Sequence, residues 1–281
     1  MAYDFQLITV ATEDGVATAT IDAPPINVMT VELWGELDRL SLEVEADDAV
    51  RVLILKSANP DFFIAHFDVA AILDRPTDRP PVPTRQMKAY HVMCERFRTM
   101  DKVTIAQIEG RVGGGGGELA ASCDMRFGVR GKTIVNQMEV ALGILPGGTG
   151  TQRFPRLIGR ARALEVILGC DDLDAETAER WGYLNRALSA DEIDPFVKNL
   201  ARRIASFPQQ AVQLAKLSID SATKDLHQGL NEEAFNFQVL LQTPEAKRNM
   251  AKFLEIGGQT HTGEMRMGEL CRELGEVTNQ P

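Results

Sequence analysis

The residues with the clearest chemical potential surround a run of five glycines. Gly110-Arg111-Val112 leads into Gly113 to Gly117, and Glu118-Leu119-Ala120 follows. The stretch follows a strand-like segment and opens a helix-like one. Glycine loses more conformational freedom on folding than any other residue, so a backbone requirement must offset the run. One such requirement is close approach of a ligand to exposed N–H groups at a helix N-terminus, where the dipole favours negative charge. A dinucleotide site does not fit, because after Gly113 and Gly115 the third small position is Glu118. A phosphate loop does not fit either. Gly131-Lys132-Thr133 has the right ending, but Arg126 stands where the first glycine belongs. The remaining ligand chemistry is an oxyanion hole, in which backbone N–H donors meet a developing negative oxygen. A tight strand-to-helix packing turn without a ligand is the alternative.

Other titratable residues give weaker signals. Glu118 alone reads as a carboxylate in the first turn of a helix, favoured by the dipole. Glu139 lies between Met138 and Val140, where a lone glutamate is usually turned outward or ion-paired. Asp68 reads as the N-cap of a helix over Val69 to Leu73. His66 titrates near neutrality and is a candidate acid–base group. His66, His91, His227 and His261 show no metal-ligand spacing. His91 to Glu95 offers two candidate ligands on one helical turn, too few for zinc, so no metal is expected.

These residues need elements to position them. Val16 to Ile21, Val52 to Leu55, Val103 to Ile108 and Met125 to Val129 read as strands, being short, β-branched and bounded by turns. Thr30 caps a helix running to about Ala46, with Leu33, Trp34, Leu37 and Leu40 on one face. Strands alternating with helices predict an α/β core. Asp74 to Pro83 holds four of the 13 prolines and reads as an irregular loop, a kind that is usually functional or disordered. Beyond Asp174, which caps Ala175 to Trp181, helical periodicity dominates Glu192 to Ala205, Gln209 to Leu226 and Leu230 to Leu241. Thr243-Pro244-Glu245 is a helix start. The tail after Gly257-Gly258 is polar and reads as a short charged helix or frayed coil. A boundary near Phe207-Pro208 divides a core, 1–207, from a helical region, 208–281.

Composition excludes several classes. The chain has 281 residues, enough for one or two domains with a sizeable core. Its 30 basic and 40 acidic residues give a net charge of −10, which repels phosphate backbones and argues against nucleic acid for the surface as a whole. The longest apolar run, Val69 to Leu73, is far short of the roughly 20 residues of a membrane-spanning helix. The start shows no charged n-region followed by an apolar stretch. Cys94, Cys123, Cys170 and Cys271 are widely spread and read as free thiols of a reducing compartment, so a cytoplasmic location is expected.

Three blocks carry a resemblance. Phe63-Ile64-Ala65-His66-Phe67-Asp68-Val69 comes first, then the glycine run with Glu118-Leu119-Ala120. The third is Met138-Glu139-Val140-Ala141-Leu142-Gly143-Ile144-Leu145-Pro146-Gly147-Gly148-Thr149-Gly150-Thr151-Gln152-Arg153. Their order and spacing resemble the crotonase, or enoyl-CoA hydratase/isomerase, superfamily over about Val16 to Leu254. Lys102 and Ala178 to Leu184 also fit that pattern. The resemblance implies a crotonase-like spiral of ββα units and a helical C-terminal region used in trimer contacts. The assembly is then a homotrimer or a dimer of trimers. It also implies an acyl-CoA thioester as substrate, with no separate cofactor.

By position, the two N–H groups that hold the thioester carbonyl fall on Phe67 and Gly115. The two glutamates of hydratases fall on Glu118 and Glu139. Hydration of a trans-2-enoyl-CoA is the expected reaction. The alternatives are an isomerase working with Glu139 alone, a CoA-ester hydrolase or lyase if His66 enters the site, and a non-catalytic CoA-binding oligomer. Two departures stand out. His66 replaces the usual glycine and is read as structural, with an acid–base role as the alternative. Pro244-Glu245-Ala246-Lys247-Arg248 replaces the usual start of a C-terminal family helix.

Overall fold

The protein was analysed as a computed structural model that describes residues 3–206, 209–220, 234–235 and 237–278. Strands β1 (Ile8–Glu13) and β2 (Val16–Ile21) pair antiparallel, with Ile8 opposite Ile21. Helix α1 (Val31–Ala46) follows, and its N-cap Thr30 accepts from the Leu33 N–H at 3.2 Å. Leu33, Leu37 and Leu40 are buried as their spacing predicts. Trp34 is half-buried, packed against the core and lining a cavity.

One pattern then repeats three times: long strand, short strand, helix. The first unit is β3 (Val52–Ser57), β4 (Phe62–Ile64), α2 (Val69–Leu73) and α3 (Ala89–Thr99). The second is β5 (Val103–Ile108), β6 (Arg111–Gly113) and α4 (Gly114–Ser122). The third is β7 (Met125–Val129), β8 (Ile134–Asn136) and α5 (Gly150–Ile158). There follow α6 (Arg160–Gly169), β9 (Leu173–Asp174), α7 (Ala175–Trp181), β10 (Arg186–Leu188), α8 (Ile193–Ala205) and α9 (Gln209–Asp220). The long strands join a six-stranded sheet of order β1-β2-β3-β5-β7-β10. The short ones join a four-stranded sheet of order β4-β6-β8-β9. Strands from successive units pair in parallel, Val52 with Val103, Ile105 with Met125 and Phe62 with Arg111. The chain therefore winds as a spiral of ββα units, the crotonase-like α/β fold.

Alternation along β3 and β5 splits the core. Val52, Ile54, Val103 and Ile105 point to one face, against Ile193, Val197 and Ala201 of α8. Leu53, Leu55, Ala106 and Ile108 point to the other, against Leu33 and Leu37 of α1 and Leu119 of α4. Each buried Val, Leu or Ile among them contributes about 1.5–3 kcal/mol on burial.

Three helices close the described C-terminal region: Pro244–Glu255, His261–Glu264 and Met267–Thr278. Thr243 caps the first as expected, accepting from the Ala246 N–H at 3.2 Å. The tail ends in a short charged helix, one of its two expected forms, but it is not polar throughout. Met267, Leu270 and Leu274 are buried in one cluster with Val69 and Ile72 of α2, Met250 and Phe253. Their one-sided spacing reads as weak in isolation and gains its meaning only from that partner surface. Helix α9 bears out the first part of the segment expected over Gln209 to Leu226, whereas the Phe207-Pro208 boundary and residues 221–226, 230–233 and 236 of the expected helical segments lie outside the described residues. Among the described residues no helix is long and apolar enough to cross a membrane.

Candidate active site

Strand β6 ends at Gly113 and α4 begins at once. The turn needs Gly114 at φ +43°, in the left-handed region that favours glycine. Packing adds a second demand: a Cβ on Gly116 would stand 2.5 Å from the Ile64 carbonyl oxygen of β4. The run is thus a tight packing turn, and it also presents backbone to a cavity. Gly115 is the second residue of α4, so its N–H belongs to the first turn and has no acceptor within the helix.

Phe67 lies across from it. Met29 and Phe67 form an isolated parallel bridge. The Met29 N–H donates to the His66 carbonyl at 2.8 Å, and the Asp68 N–H donates to the Met29 carbonyl at 3.1 Å. This bridge occupies the groups on either side of Phe67 and turns the Phe67 N–H to the opposite edge. The Phe67 nitrogen stands 3.6 Å from the position a Cβ would take on Gly115. Two N–H donors from different elements are therefore neighbours.

Glu118 is buried on the same helix turn. Its Oε1 accepts from the N–H groups of Gly148, Thr149 and Gly150, each at 2.8 Å. The Pro146-Gly147-Gly148-Thr149-Gly150 segment thus forms a nest at the start of α5, and the carboxylate sits at that helix N-terminus. Burial raises the Glu118 pKa above the ordinary glutamate value, and the three donors only partly oppose the rise. A side chain on Gly148 would collide with Glu118 Oε2, so glycine keeps that oxygen open to the cavity.

Glu139 follows β8 in a turn closed by Leu142 and Ile144 N–H groups donating to its carbonyl, at 3.1 and 3.0 Å. It is buried, neither turned outward nor on an open surface. Its Oε1 stands 3.0 Å from where a Cβ on Gly114 would project. The glycine run thereby makes room for the carboxylate.

These groups line one cavity of about 830 Å³, within the usual range for small-molecule sites. Gly115, Glu118 and Glu139 line it together with Trp34, Phe67, Ile72, Tyr90, Ile144 and Phe237. The proline-rich loop contributes Pro76, Pro80, Pro81 and Val82.

His66 does not line this cavity. Its ring is buried and turned toward the C-terminal helices. Nδ1 lies 2.9 Å from the Phe67 carbonyl oxygen and Nε2 lies 2.6 Å from Glu264 Oε1. A carbonyl can only accept, so Nδ1 carries a proton. Burial alone would lower the His66 pKa, but the Glu264 carboxylate outweighs it and raises the value. Asp68 caps α2, its Oδ1 accepting from the Ala70 N–H at 2.9 Å. The His91–Glu95 turn does not converge on a metal. His91 Nε2 meets the Gly147 carbonyl at 2.9 Å, whereas Glu95 pairs with Arg98 and Arg153. His227 lies outside the described residues.

Sequence reasoning missed Tyr90 and the nest. The Tyr90 hydroxyl donates to the Gly115 carbonyl at 2.6 Å, and its ring packs against Trp34 and Phe67. Burial, with the neighbouring Cys94 and Glu118, raises its pKa well above the ordinary tyrosine value and keeps the donor protonated. A lone tyrosine on a helix gives no signal of this. The nest had one: glycines directly before a helix are an anion-binding pattern.

Comparison with known proteins places the chain in a family. The enoyl-CoA hydratase/isomerase family model matches residues 11–264. A crotonyl-CoA hydratase of Syntrophomonas wolfei is 32% identical, over 91% of this chain and 96% of the relative. A short-chain-enoyl-CoA hydratase of Clostridium acetobutylicum is 31% identical, over 86% of this chain and 92% of its own. A crystal structure from Streptomyces avermitilis, of a protein named provisionally as an enoyl-CoA hydratase, is 35% identical. It superposes with a TM-score of 0.87, covering 97% of this chain and all of that one. The chain therefore belongs to the enoyl-CoA hydratase/isomerase family, as an enoyl-CoA hydratase-like lyase.

Proposed function

We propose that the enzyme adds water across the double bond of a trans-2-enoyl-CoA. The observation that carries this reading is the presence of Glu118 and Glu139 in one cavity with Phe67 and Gly115. The Phe67 and Gly115 N–H groups hold the thioester oxygen and stabilise the enolate that forms as water attacks, an effect typically worth a few kcal/mol per donor. One glutamate takes a proton from water as its oxygen bonds carbon three. The other delivers a proton to carbon two. The nest fixes Glu118 by Oε1 and leaves Oε2 for the water. The chemistry needs no metal and no cofactor beyond the coenzyme A of the substrate. Arg79 and Lys88, exposed at the cavity mouth, are placed for the phosphates of coenzyme A. His66 has no part in the reaction, since its ring is committed to Glu264.

The relatives named as hydratases support this reading. The four buried free thiols fit a cytoplasmic compartment. Leu217 and Ile219 of α9 are exposed, which fits a homotrimer or a dimer of trimers that covers them. The direct test is loss of the conjugated-enoyl absorbance when the protein is mixed with crotonyl-CoA. A steady absorbance with both short and long enoyl-CoA substrates rejects the reading.

A further inference from the structure

Arg75 follows α2 and forms part of the cavity wall. Its guanidinium carbon lies 5.8 Å from the ring centroid of Phe67 and 5.5 Å from that of Phe237. Other sheltered arginines have carboxylate partners: Arg111 with Asp172 at 2.6 Å, Arg96 with Asp38 at 2.7 Å, and Arg98 with Glu95 at 3.0 Å. Arg126 satisfies its guanidinium on the carbonyls of Tyr183 and Cys123. Arg75 differs. Among the described residues no carboxylate lies within ion-pair distance of it, and burial alone lowers its pKa. Two aromatic rings offset part of the desolvation, and the five N–H donors of a guanidinium suit a planar anion.

Position tells which anion. Phe67 bears one of the proposed thioester donors, and Arg75 stands over the ring of that same residue. Ile72, Ile144 and Phe237 form an apolar part of the cavity wall, of the kind that suits an acyl chain. The mouth has its own cations in Arg79 and Lys88, whereas Arg75 is half-buried. Asp74 directly precedes Arg75 but is exposed and makes no ion pair with it, and Asp78 has an exposed side chain directed to Arg79 at 4.0 Å. A substrate anion in this cavity also meets the carboxylate of whichever glutamate acts as base, so it needs a cation beside it.

We propose that Arg75 binds a carboxylate on the acyl group, so that the preferred substrate is the monothioester of an unsaturated dicarboxylic acid. This rests on the hydratase reading and narrows its substrate class. The bidentate pairing of guanidinium with carboxylate supplies the selectivity.

The test compares crotonyl-CoA with a trans-2-enoyl-CoA that ends in a carboxylate, for the wild type and for Arg75→Met and Arg75→Lys. The wild type should favour the charged substrate in kcat/KM by roughly tenfold or more, and Arg75→Met should abolish that ratio. Arg75→Lys should restore only part of it. The same pair made as pantetheine thioesters, which lack the adenosine phosphates, should keep the ratio. An equal loss on both substrates, or a loss that vanishes on the pantetheine thioesters, overturns the proposal; the second outcome assigns Arg75 to a coenzyme A phosphate. Calorimetric binding of the saturated analogues separates this inference from the hydratase reading. A wild type that hydrates nothing, yet binds the charged analogue roughly tenfold tighter than the neutral one in an Arg75-dependent way, rejects hydration alone. Equal binding of both analogues rejects the role of Arg75.

Discussion

His66 and Glu264 form a buried pair, Nε2 to Oε1 at 2.6 Å, that ties the strand edge bearing Phe67 to the C-terminal helices. The Gln259 N–H donates to the same carboxylate oxygen at 2.7 Å. Residue 66 is where the resemblance leads one to expect glycine, and the histidine serves this tie rather than the cavity. His66→Ala leaves a buried carboxylate without its cation, so stability should fall by about 3–5 kcal/mol in denaturant unfolding. Turnover of the folded variant should stay within a few-fold. A loss of orders of magnitude in a variant that folds and binds coenzyme A esters contradicts this and gives His66 a chemical role.

The same pair sets a pH dependence. The folded pKa of His66 is raised above its ordinary 6.5. The pair's contribution is therefore fully present below about 6.5 and lost as pH rises through the folded value. The stability gap between wild type and His66→Ala should shrink on going from pH 6 to alkaline pH. A gap that widens contradicts the pairing.

Much of the site was legible in the sequence, and the limits are physical. The glycine run announced a backbone demand, and Glu118 followed it directly. Glu139 needed the family resemblance, because one acid in an apolar stretch has no pattern of its own. The long strands showed β-branched runs, whereas β4, β6 and β8, at three residues each, are too short to display a period. The role of His66 depends on Glu264, a residue remote in sequence on a four-residue helix. Arg75 sits beside prolines and reads as a solvated loop residue until Phe237 is placed against it.

Glu118→Gln and Glu139→Gln should each lower kcat by at least about 100-fold, the low end of general acid–base contributions. Binding of a product analogue should survive in both. Normal hydration by Glu118→Gln beside a dead Glu139→Gln would contradict the two-glutamate mechanism and leave Glu139 as the acid–base group.

Tyr90→Phe removes the hydroxyl that holds the Gly115 carbonyl. The residue carrying the proposed donor then loses one fixing bond, on the peptide that follows the donor N–H, and kcat/KM should fall by about fivefold, as expected for one neutral hydrogen bond. An unchanged kcat/KM with unchanged stability would show that the bond does not position Gly115.

Leu217 and Ile219, 65% and 73% exposed, lie on α9. Light scattering at micromolar concentration should report a trimer or a hexamer, and Leu217→Glu together with Ile219→Glu should weaken it. A monomeric wild type contradicts the assembly.

The most direct measurement of the central claim follows the oxygen of water. Crotonyl-CoA is incubated with the enzyme in ¹⁸O-labelled water, and the products are read by mass spectrometry. Hydration by Glu118 and Glu139 predicts an intact thioester with the label on a hydroxyl at carbon three. Release of free coenzyme A with label in the carboxylate, or a shifted double bond with no label, contradicts the account.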